Sequence, residues 1–338
     1  MADRPLKVWL PALRTHTGTD VFTIRLAEGL QRVGVEAEIS WFDRRYEFFP
    51  DLLKRVPAPA GTQIIHANAW NAFAFKRKNI PLVVTEHHCV LDPRFQPFTS
   101  TLQRLYYRTV VTRCLKKSFA IATAITCVSN CTAQGLQMAF GIKNSLIISN
   151  GIDTDFFSPI NRDTDTREKL FRLLFVGNLS RRKGADLLPQ LMTDLGTEFE
   201  LRYTSGLRMN KGLLNNSNCV ALGKLSAESL RDEYRACDAL LFPTRFEGFG
   251  YAAAEAMACG KPVIGFAGHA LDELIDNEKT GLLVPLNDID ALEVACRRLA
   301  NDPDLCLKMG HAARQGILLD FSEEKTINSY TQLYKSLI

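Results

Sequence analysis

The sequence predicts an α/β protein made of two doubly wound, Rossmann-like domains. Its length of 338 residues exceeds what one hydrophobic core usually organises. Short β-rich apolar runs alternate with longer helix-period segments throughout, the pattern of parallel sheets with crossover helices. Near the middle, Ser158–Arg167 is polar, poor in apolar residues and contains Pro159, so it reads as a connection. The expected division is a first domain at 1–157, a linker at 158–170, a second domain at 171–320 and a final helix at 321–338.

In the first half, strands are expected at Lys7–Leu10, Glu36–Trp41, Gln63–His66, Leu82–Thr85, Ala124–Val128 and Ser145–Ile148. Helices are expected at Asp20–Val33 and Gln103–Ala122, with another near Cys131–Phe140. The second half repeats the theme. Its strands are expected at Arg172–Val176, Glu200–Tyr203, Cys219–Leu222, Ala239–Phe242, Pro262–Gly265 and Gly281–Val284. Its helices are expected at Ala185–Leu195, Ala227–Ala236, Tyr251–Cys259, Ala270–Ile275 and Asp290–Ala300, with Pro189 distorting or delaying the first of them. Tyr330, Leu333, Tyr334 and Leu337 recur at helical spacing in the last segment, which is expected to pack back on the first domain. Sheets of this kind bind ligands outside the carboxyl ends of their strands. Two of them facing each other would make a cleft.

Composition narrows the class. The chain is 46% hydrophobic and 23% charged, values of an ordered globular protein. Mostly apolar runs such as Phe119–Ala124 and Pro262–Ala267 are far shorter than the roughly 20 residues a membrane-spanning helix needs. Met-Ala-Asp-Arg-Pro leads into the strand-like Lys7–Pro11 with no signal-peptide core. A soluble, cytoplasmic protein is expected. The nine cysteines, at 89, 114, 127, 131, 219, 237, 259, 296 and 306, include no Cys-x-x-Cys pair and read as reduced thiols packed as small hydrophobes.

Charge is unevenly placed. Residues 1–150 hold 19 Lys and Arg against 10 Asp and Glu, whereas the remainder holds 22 against 27. Between Asp92 and Asp153 there is no acidic side chain, but Arg94, Arg104, Arg108, Arg113, Lys116, Lys117 and Lys143 lie there. Such a half attracts anions, either an anionic membrane or a phosphorylated glycan. On a helical wheel Arg104 to Lys117 spread over more than half the circumference, so a solvated helix face fits equally well. No nucleic-acid-binding motif accompanies the charge, and no nucleic-acid partner is expected.

The stretch from Phe242 to Pro262, FPTRFEGFGYAAAEAMACGKP, carries the chemistry. A strand ends, a loop presents Glu247, Gly248 and Gly250 open the backbone, and a helix begins. Amide groups at such a start suit phosphate or sugar oxygens. Glu255 is flanked by alanines on a helix too apolar for the surface, so its carboxylate needs hydrogen-bond donors. Sugar hydroxyls would supply them; a neighbouring backbone group is the alternative.

This Glu-x7-Glu spacing resembles the signature of retaining nucleotide-sugar glycosyltransferases of the GT-B fold, specifically glycosyltransferase family 4. The resemblance covers nearly the whole chain and is strongest from Asn150 to Pro285. Asn150-Gly-Ile-Asp153 is similar to the family's domain-junction motif. Phe175 to Gly184 is similar to its phosphate-binding strand-loop-helix, and Gly268 to Glu273 and Thr280 to Pro285 match later segments.

The resemblance implies a role for each matched residue. Glu255 would hold the donor ribose hydroxyls, and Glu247 would face the transferred sugar near its reacting carbon. The N–H groups of Phe249 and Gly250, after Gly248, would meet sugar hydroxyls or diphosphate. Lys183 would bind the diphosphate leaving group. Asn178 stands where the family usually has arginine, so Arg182 or Arg181 would replace that cation. In the first half, Gly18 alone remains of the family's glycine pair beside the donor phosphate. Thr85-Glu-His87 is similar to Thr-x-His, whose histidine contacts the transferred sugar, and His88 adjoins it.

Asp153/Asp155, Asp163/Asp165 and Asp288/Asp290 each read Asp-x-Asp, the pattern by which other glycosyltransferases hold Mn²⁺ or Mg²⁺. They fall in the junction, the linker and a helix start, so neither a metal nor another cofactor is expected. The implied mechanism is electrostatic: Lys183, Arg182 and the Gly248–Gly250 amides stabilise the departing diphosphate, and domain closure excludes water. The expected acceptor is a glycan or lipid-linked anion, in lipopolysaccharide or surface-polysaccharide synthesis. A nucleotide-sugar epimerase, a phosphorylase and a non-catalytic nucleotide-sugar-binding partner remain as alternatives.

Overall fold

The computed structural model describes residues 5–160, 170–204 and 216–338. Most of the linker expected at 158–170 lies outside them, as do Asp163 and Asp165. The chain divides into two units, Met1–Gly151 with Glu323–Ile338, and Ile152–Ser322.

In unit 1, strands β1 (Lys7–Leu13), β2 (Glu36–Phe42), β3 (Ile64–Asn68), β4 (Leu82–Glu86), β5 (Ala124–Cys127) and β6 (Leu146–Ile147) form one sheet in the order β2-β1-β3-β4-β5-β6. Every pairing in it is parallel. Its helices are α1 (Gly18–Arg32), α2 (Thr101–Tyr106), α3 (Thr112–Ile121), α4 (Asn130–Phe140) and the chain's last helix, Glu323–Lys335. The order of connection reverses between β1 and β3, which makes their carboxyl ends the switch point of this sheet.

Unit 2 repeats the plan with β7 (Phe171–Phe175), β8 (Phe199–Thr204), β9 (Cys219–Gly223), β10 (Ala239–Phe242), β11 (Val263–Phe266) and β12 (Gly281–Val284). The order is β12-β11-β10-β7-β8-β9, again parallel throughout. Its helices are α5 (Leu188–Leu195), α6 (Ala227–Ala236), α7 (Tyr251–Ala258), α8 (Leu271–Leu274), α9 (Ile289–Asn301) and α10 (Pro303–Asp320). Here the switch point lies between β7 and β10.

Local chemistry explains several element boundaries. Ser129, Ser226 and Asp288 each accept a hydrogen bond from the third residue beyond, capping α4, α6 and α9. Pro189 stands in the first turn of α5, where its missing N–H costs nothing, and the helix begins at Leu188 rather than at Ala185. The helix expected at Gln103–Ala122 is interrupted by a π-type stretch, Tyr107–Val111. Helix α10 was not expected, although Asp302 as cap and Pro303 in the first turn mark its start.

The last helix, α11 (Glu323–Lys335), completes the core of unit 1. Ile327, Tyr330 and Tyr334 are buried with Val8, Leu26, Leu30 and Val83. Tyr334 Oη lies 2.6 Å from His66 Nδ1, and the other ring nitrogen of His66 lies 2.5 Å from Thr85 Oγ1. Burial lowers the His66 pKa to about 3, with His87 adding to the effect, so the ring is neutral.

Candidate active site

Adjacency of β7 and β10 decides what meets in unit 2. The loop after β7 carries Arg182 and Lys183; the loop after β10 carries Glu247. Backbone contacts join the loops, with Arg245 N–H donating to the Arg182 carbonyl at 2.8 Å. Gly184 has φ +75°, and a Cβ there would stand 2.1 Å from the Pro243 carbonyl oxygen. Only glycine permits that approach.

Glu247 Oε1 is the meeting point. Lys183 Nζ lies 2.6 Å from it, while Arg182 and the Thr244 hydroxyl each donate to it at 2.9 Å. Lys183 also sits over the Phe242 ring, 4.7 Å from the centroid. Burial alone would raise the Glu247 pKa, but Lys183, Arg182 and the hydrogen bonds outweigh it and hold the carboxyl well below the ordinary range. Burial lowers the Lys183 pKa, with Glu247 opposing. The result is a carboxylate and two cations held at the carboxyl ends of adjacent strands.

Gly250 ends the loop at φ +101° and caps α7, placing the Gly248–Gly250 backbone at the helix start. Glu255 follows on α7 and is buried, and its Oε2 accepts the Tyr234 hydroxyl from α6 at 3.0 Å. At least one of the donors its burial requires is therefore a tyrosine of the protein.

Two further residues of this site were not singled out from the sequence. Arg245, almost fully buried, donates to both oxygens of Asp186 at 2.6 and 3.0 Å, to Asn287 Oδ1 at 2.5 Å, and to the Arg181 carbonyl. It braces one loop against the other. His269 Nε2 lies 3.0 Å from the Thr244 carbonyl, and burial lowers its pKa. Arg245 was legible as a cation inside the Phe242–Pro262 stretch, and His269 as part of the Gly268–Glu273 segment.

In unit 1, Gly18 opens α1 and His87 follows β4. Thr17 and Thr19, which flank Gly18, line one pocket together with His87. The His87 ring packs edge-on against Phe22, 4.5 Å between centroids, and burial lowers its pKa to about 4. The Asp-x-Asp pairs within the described residues serve local structure. Asp153 accepts from the N–H groups of Asp155 and Phe156, and Asp288 caps α9. Among the described residues no three His, Cys, Asp or Glu side chains are grouped to hold a metal ion.

Two family models match the chain: "Glycosyltransferase Family 4" over residues 36–156 and "Glycosyl transferases group 1" over 157–316. Among similar curated proteins is an uncharacterised glycosyltransferase of Methanocaldococcus jannaschii, 30% identical over 63% of this chain and 59% of its own length. Another is D-inositol 3-phosphate glycosyltransferase 1 of Catenulispora acidiphila, 26% identical over 86% of this chain and 76% of its own. The chain spans between half and three fifths of the length of the first two curated relatives it matches. Among solved structures, Anabaena Alr3699/HepE in complex with UDP and glucose matches with a TM-score of 0.79 at 17% identity, over 98% of this chain and 100% of that one. That likeness is one of fold.

Proposed function

The chain belongs to the family 4 glycosyltransferases of the GT-B fold, and on that premise we propose that it moves a sugar from a UDP- or GDP-linked donor to a glycan or lipid-linked acceptor, with retention of anomeric configuration. The observation that carries this reading is the Glu247–Lys183–Arg182 cluster beside the start of α7. Breaking the anomeric C–O bond places negative charge on a diphosphate. Lys183, Arg182 and the Phe249 and Gly250 amides are fixed donors for that charge.

The contacts to Glu247 within the unit fall on Oε1, so Oε2 is the atom we assign to a hydroxyl of the transferred sugar. Glu255, with one oxygen set by Tyr234, takes the ribose hydroxyls. For unit 1 the family resemblance assigns a sugar contact to the neutral His87 and a phosphate contact to Gly18. The Lys183–Arg182 pair supplies the positive charge a divalent ion supplies elsewhere, so transfer is expected to proceed in EDTA.

An anionic acceptor is supported by the basic first half, and the C. acidiphila relative is named for a phosphorylated polyol, D-inositol 3-phosphate. The pathway we favour is lipopolysaccharide or other surface-polysaccharide assembly. Peripheral contact with an anionic membrane fits one face of unit 1. There Phe49 and Leu102 are 64% and 77% exposed beside exposed Phe48 and Leu105. Phe48 packs on Tyr106, 5.8 Å between rings, which joins the segment before β3 to α2. Arg45 and Arg55 belong to the first of these segments, Arg104 to α2 and Arg108 to the π-type stretch that follows it. No helix among the described residues is long and apolar enough to cross a membrane.

The deciding experiment is a thermal-shift panel of nucleotide sugars followed by transfer assays, with product anomers read by NMR. One UDP- or GDP-sugar should raise the melting temperature and be consumed only with acceptor. Donor isomerisation without acceptor, phosphate-dependent glycan breakdown, or tight donor binding with no turnover across a broad acceptor screen would each replace this reading.

A further inference from the structure

Helix α6 is polar along most of its length, and Tyr234 is its one buried residue. The side chain is fully enclosed. Its hydroxyl donates to Glu255 Oε2 at 3.0 Å. Packing alone does not call for that hydroxyl. Phenylalanine would fill the same space without a polar atom to satisfy, and an unmatched buried hydroxyl destabilises a fold.

Glu255 is just as costly on α7. Ala253, Ala254, Ala256, Met257 and Ala258 around it are sealed from solvent, whereas Glu255 keeps 7% of its surface exposed. A ligand can therefore reach Glu255 and cannot reach Tyr234.

The tyrosine is itself held. The Phe157 ring stands edge-on to it, 6.0 Å between centroids. Next along α6, Arg235 donates to the carbonyl and hydroxyl oxygens of Ser158 at 2.7 and 3.0 Å. Just past the helix, Cys237 Sγ lies 3.3 Å from the Tyr234 carbonyl oxygen. Burial, with Glu255 adding to it, raises the Tyr234 pKa well above the ordinary value, so the hydroxyl keeps its proton and is the donor.

A ribose ring presents two neighbouring hydroxyls, and a carboxyl group meets both only when its plane is set at the right angle. A glutamate side chain left to itself rotates about three bonds. A donor on a fixed ring removes that freedom before the ligand arrives.

We propose that Tyr234 is a positioning residue for nucleotide recognition: by fixing Glu255 Oε2 it makes the site select ribonucleoside diphosphates over their deoxyribose counterparts. This role rests on the assignment of Glu255 to the donor ribose.

The test is calorimetric titration of the full chain with UDP, GDP and the dideoxy form of each, which lacks both ribose hydroxyls. The parent should bind one of the two ribonucleotides about tenfold or more tighter than its dideoxy form. Tyr234→Phe should weaken that ribonucleotide about tenfold and its dideoxy form less than about twofold, so that most of the discrimination disappears. In a Glu255→Ala background, Tyr234→Phe should change neither affinity. Phe157→Leu, which frees the ring but keeps the hydroxyl, should produce a smaller loss confined to the ribonucleotide. Equal weakening of both forms by Tyr234→Phe, or weakening of neither, would overturn the proposal and leave the ribose assignment standing. Should Tyr234→Phe fail to fold, Phe157→Leu decides on the same two criteria. A parent that binds ribose and dideoxy forms equally would overturn the assignment of Glu255 and this role with it. A parent that binds neither nucleotide would overturn the donor reading as a whole.

Discussion

The Glu247 carboxylate and the Lys183 ammonium meet at 2.6 Å, and Arg182 reaches the same oxygen at 2.9 Å. The two cations assigned to a leaving diphosphate therefore share one internal carboxylate before any ligand arrives, which offsets half of their charge. Glu247→Gln should bind UDP or GDP several-fold tighter than the parent while losing about 10²–10³ in kcat. Lys183→Ala should lose a similar factor in kcat and bind the nucleotide more weakly. Calorimetry beside single-turnover kinetics separates the two. Parent-like turnover by both folded variants would end the electrostatic mechanism.

Arg245 touches only protein groups in the described residues, yet it holds the site's two loops together. Arg245→Met should leave Asp186 without its partner and destabilise the protein by about 2–3 kcal/mol, less than a fully buried pair because Asp186 is 41% exposed. Activity should fall further than stability predicts, with kcat and KM both affected, as expected of a positioning residue. Urea unfolding and steady-state kinetics on one preparation check this.

Tyr334 donates to or accepts from a buried, neutral His66. Tyr334→Phe removes that partner and should cost about 1–3 kcal/mol. Ile327→Ala opens the same core and should cost about 2–5 kcal/mol. Deleting 321–338 should lower thermal stability and activity together. Scanning calorimetry reads all three, and an unchanged profile for the deletion would contradict the packing of α11.

Glu86 should leave a signature in stability against pH. Its folded pKa is raised to about 8 from an ordinary 4.5, so between those values the folded state holds a proton the unfolded state has lost. That contribution is complete below about 4.5 and disappears as pH rises towards 8. The ionisable groups facing it, His87, Cys89 and Cys127, are uncharged through most of that window, with pKa values near 4, 12 and 12. Glu86→Gln should therefore gain on the parent steadily from pH 5 to pH 8. Chemical denaturation at several pH values would show a flat difference if Glu86 were ionised when folded.

Membrane contact is checked by sedimentation with vesicles. The parent should bind phosphatidylserine-containing vesicles and release them in high salt. Replacing Phe48, Phe49 and Leu102 with Ser should abolish binding without changing transfer to a water-soluble acceptor.

Much of this was legible in residue order. All six expected strands of each half appear, because β-rich runs bounded by loops carry a local signal. The loop that carries Glu247 and the start of α7 were legible through their spacing and glycines. What was not legible depends on strand adjacency. Nothing local says that β7 neighbours β10, so neither the bond from Arg182 to Glu247 nor the brace of Arg245 could be read. Tyr234 lies on the expected helix Ala227–Ala236, and its donation to Glu255 was not legible for the same reason. Glu86 stands in the middle of the Thr85-Glu-His87 motif, which points to the histidine beside it. Its importance comes from burial, which a motif does not reveal.

Because Glu323–Ile338 fills the interior of unit 1, that unit's two pieces are separated on the chain by all of unit 2. During synthesis, the earliest residues made must wait with part of their apolar surface uncovered, while a later, uninterrupted stretch can already condense. A nascent chain halted before Glu323 should expose a protease-sensitive beginning ahead of a resistant middle, the reverse of the usual order.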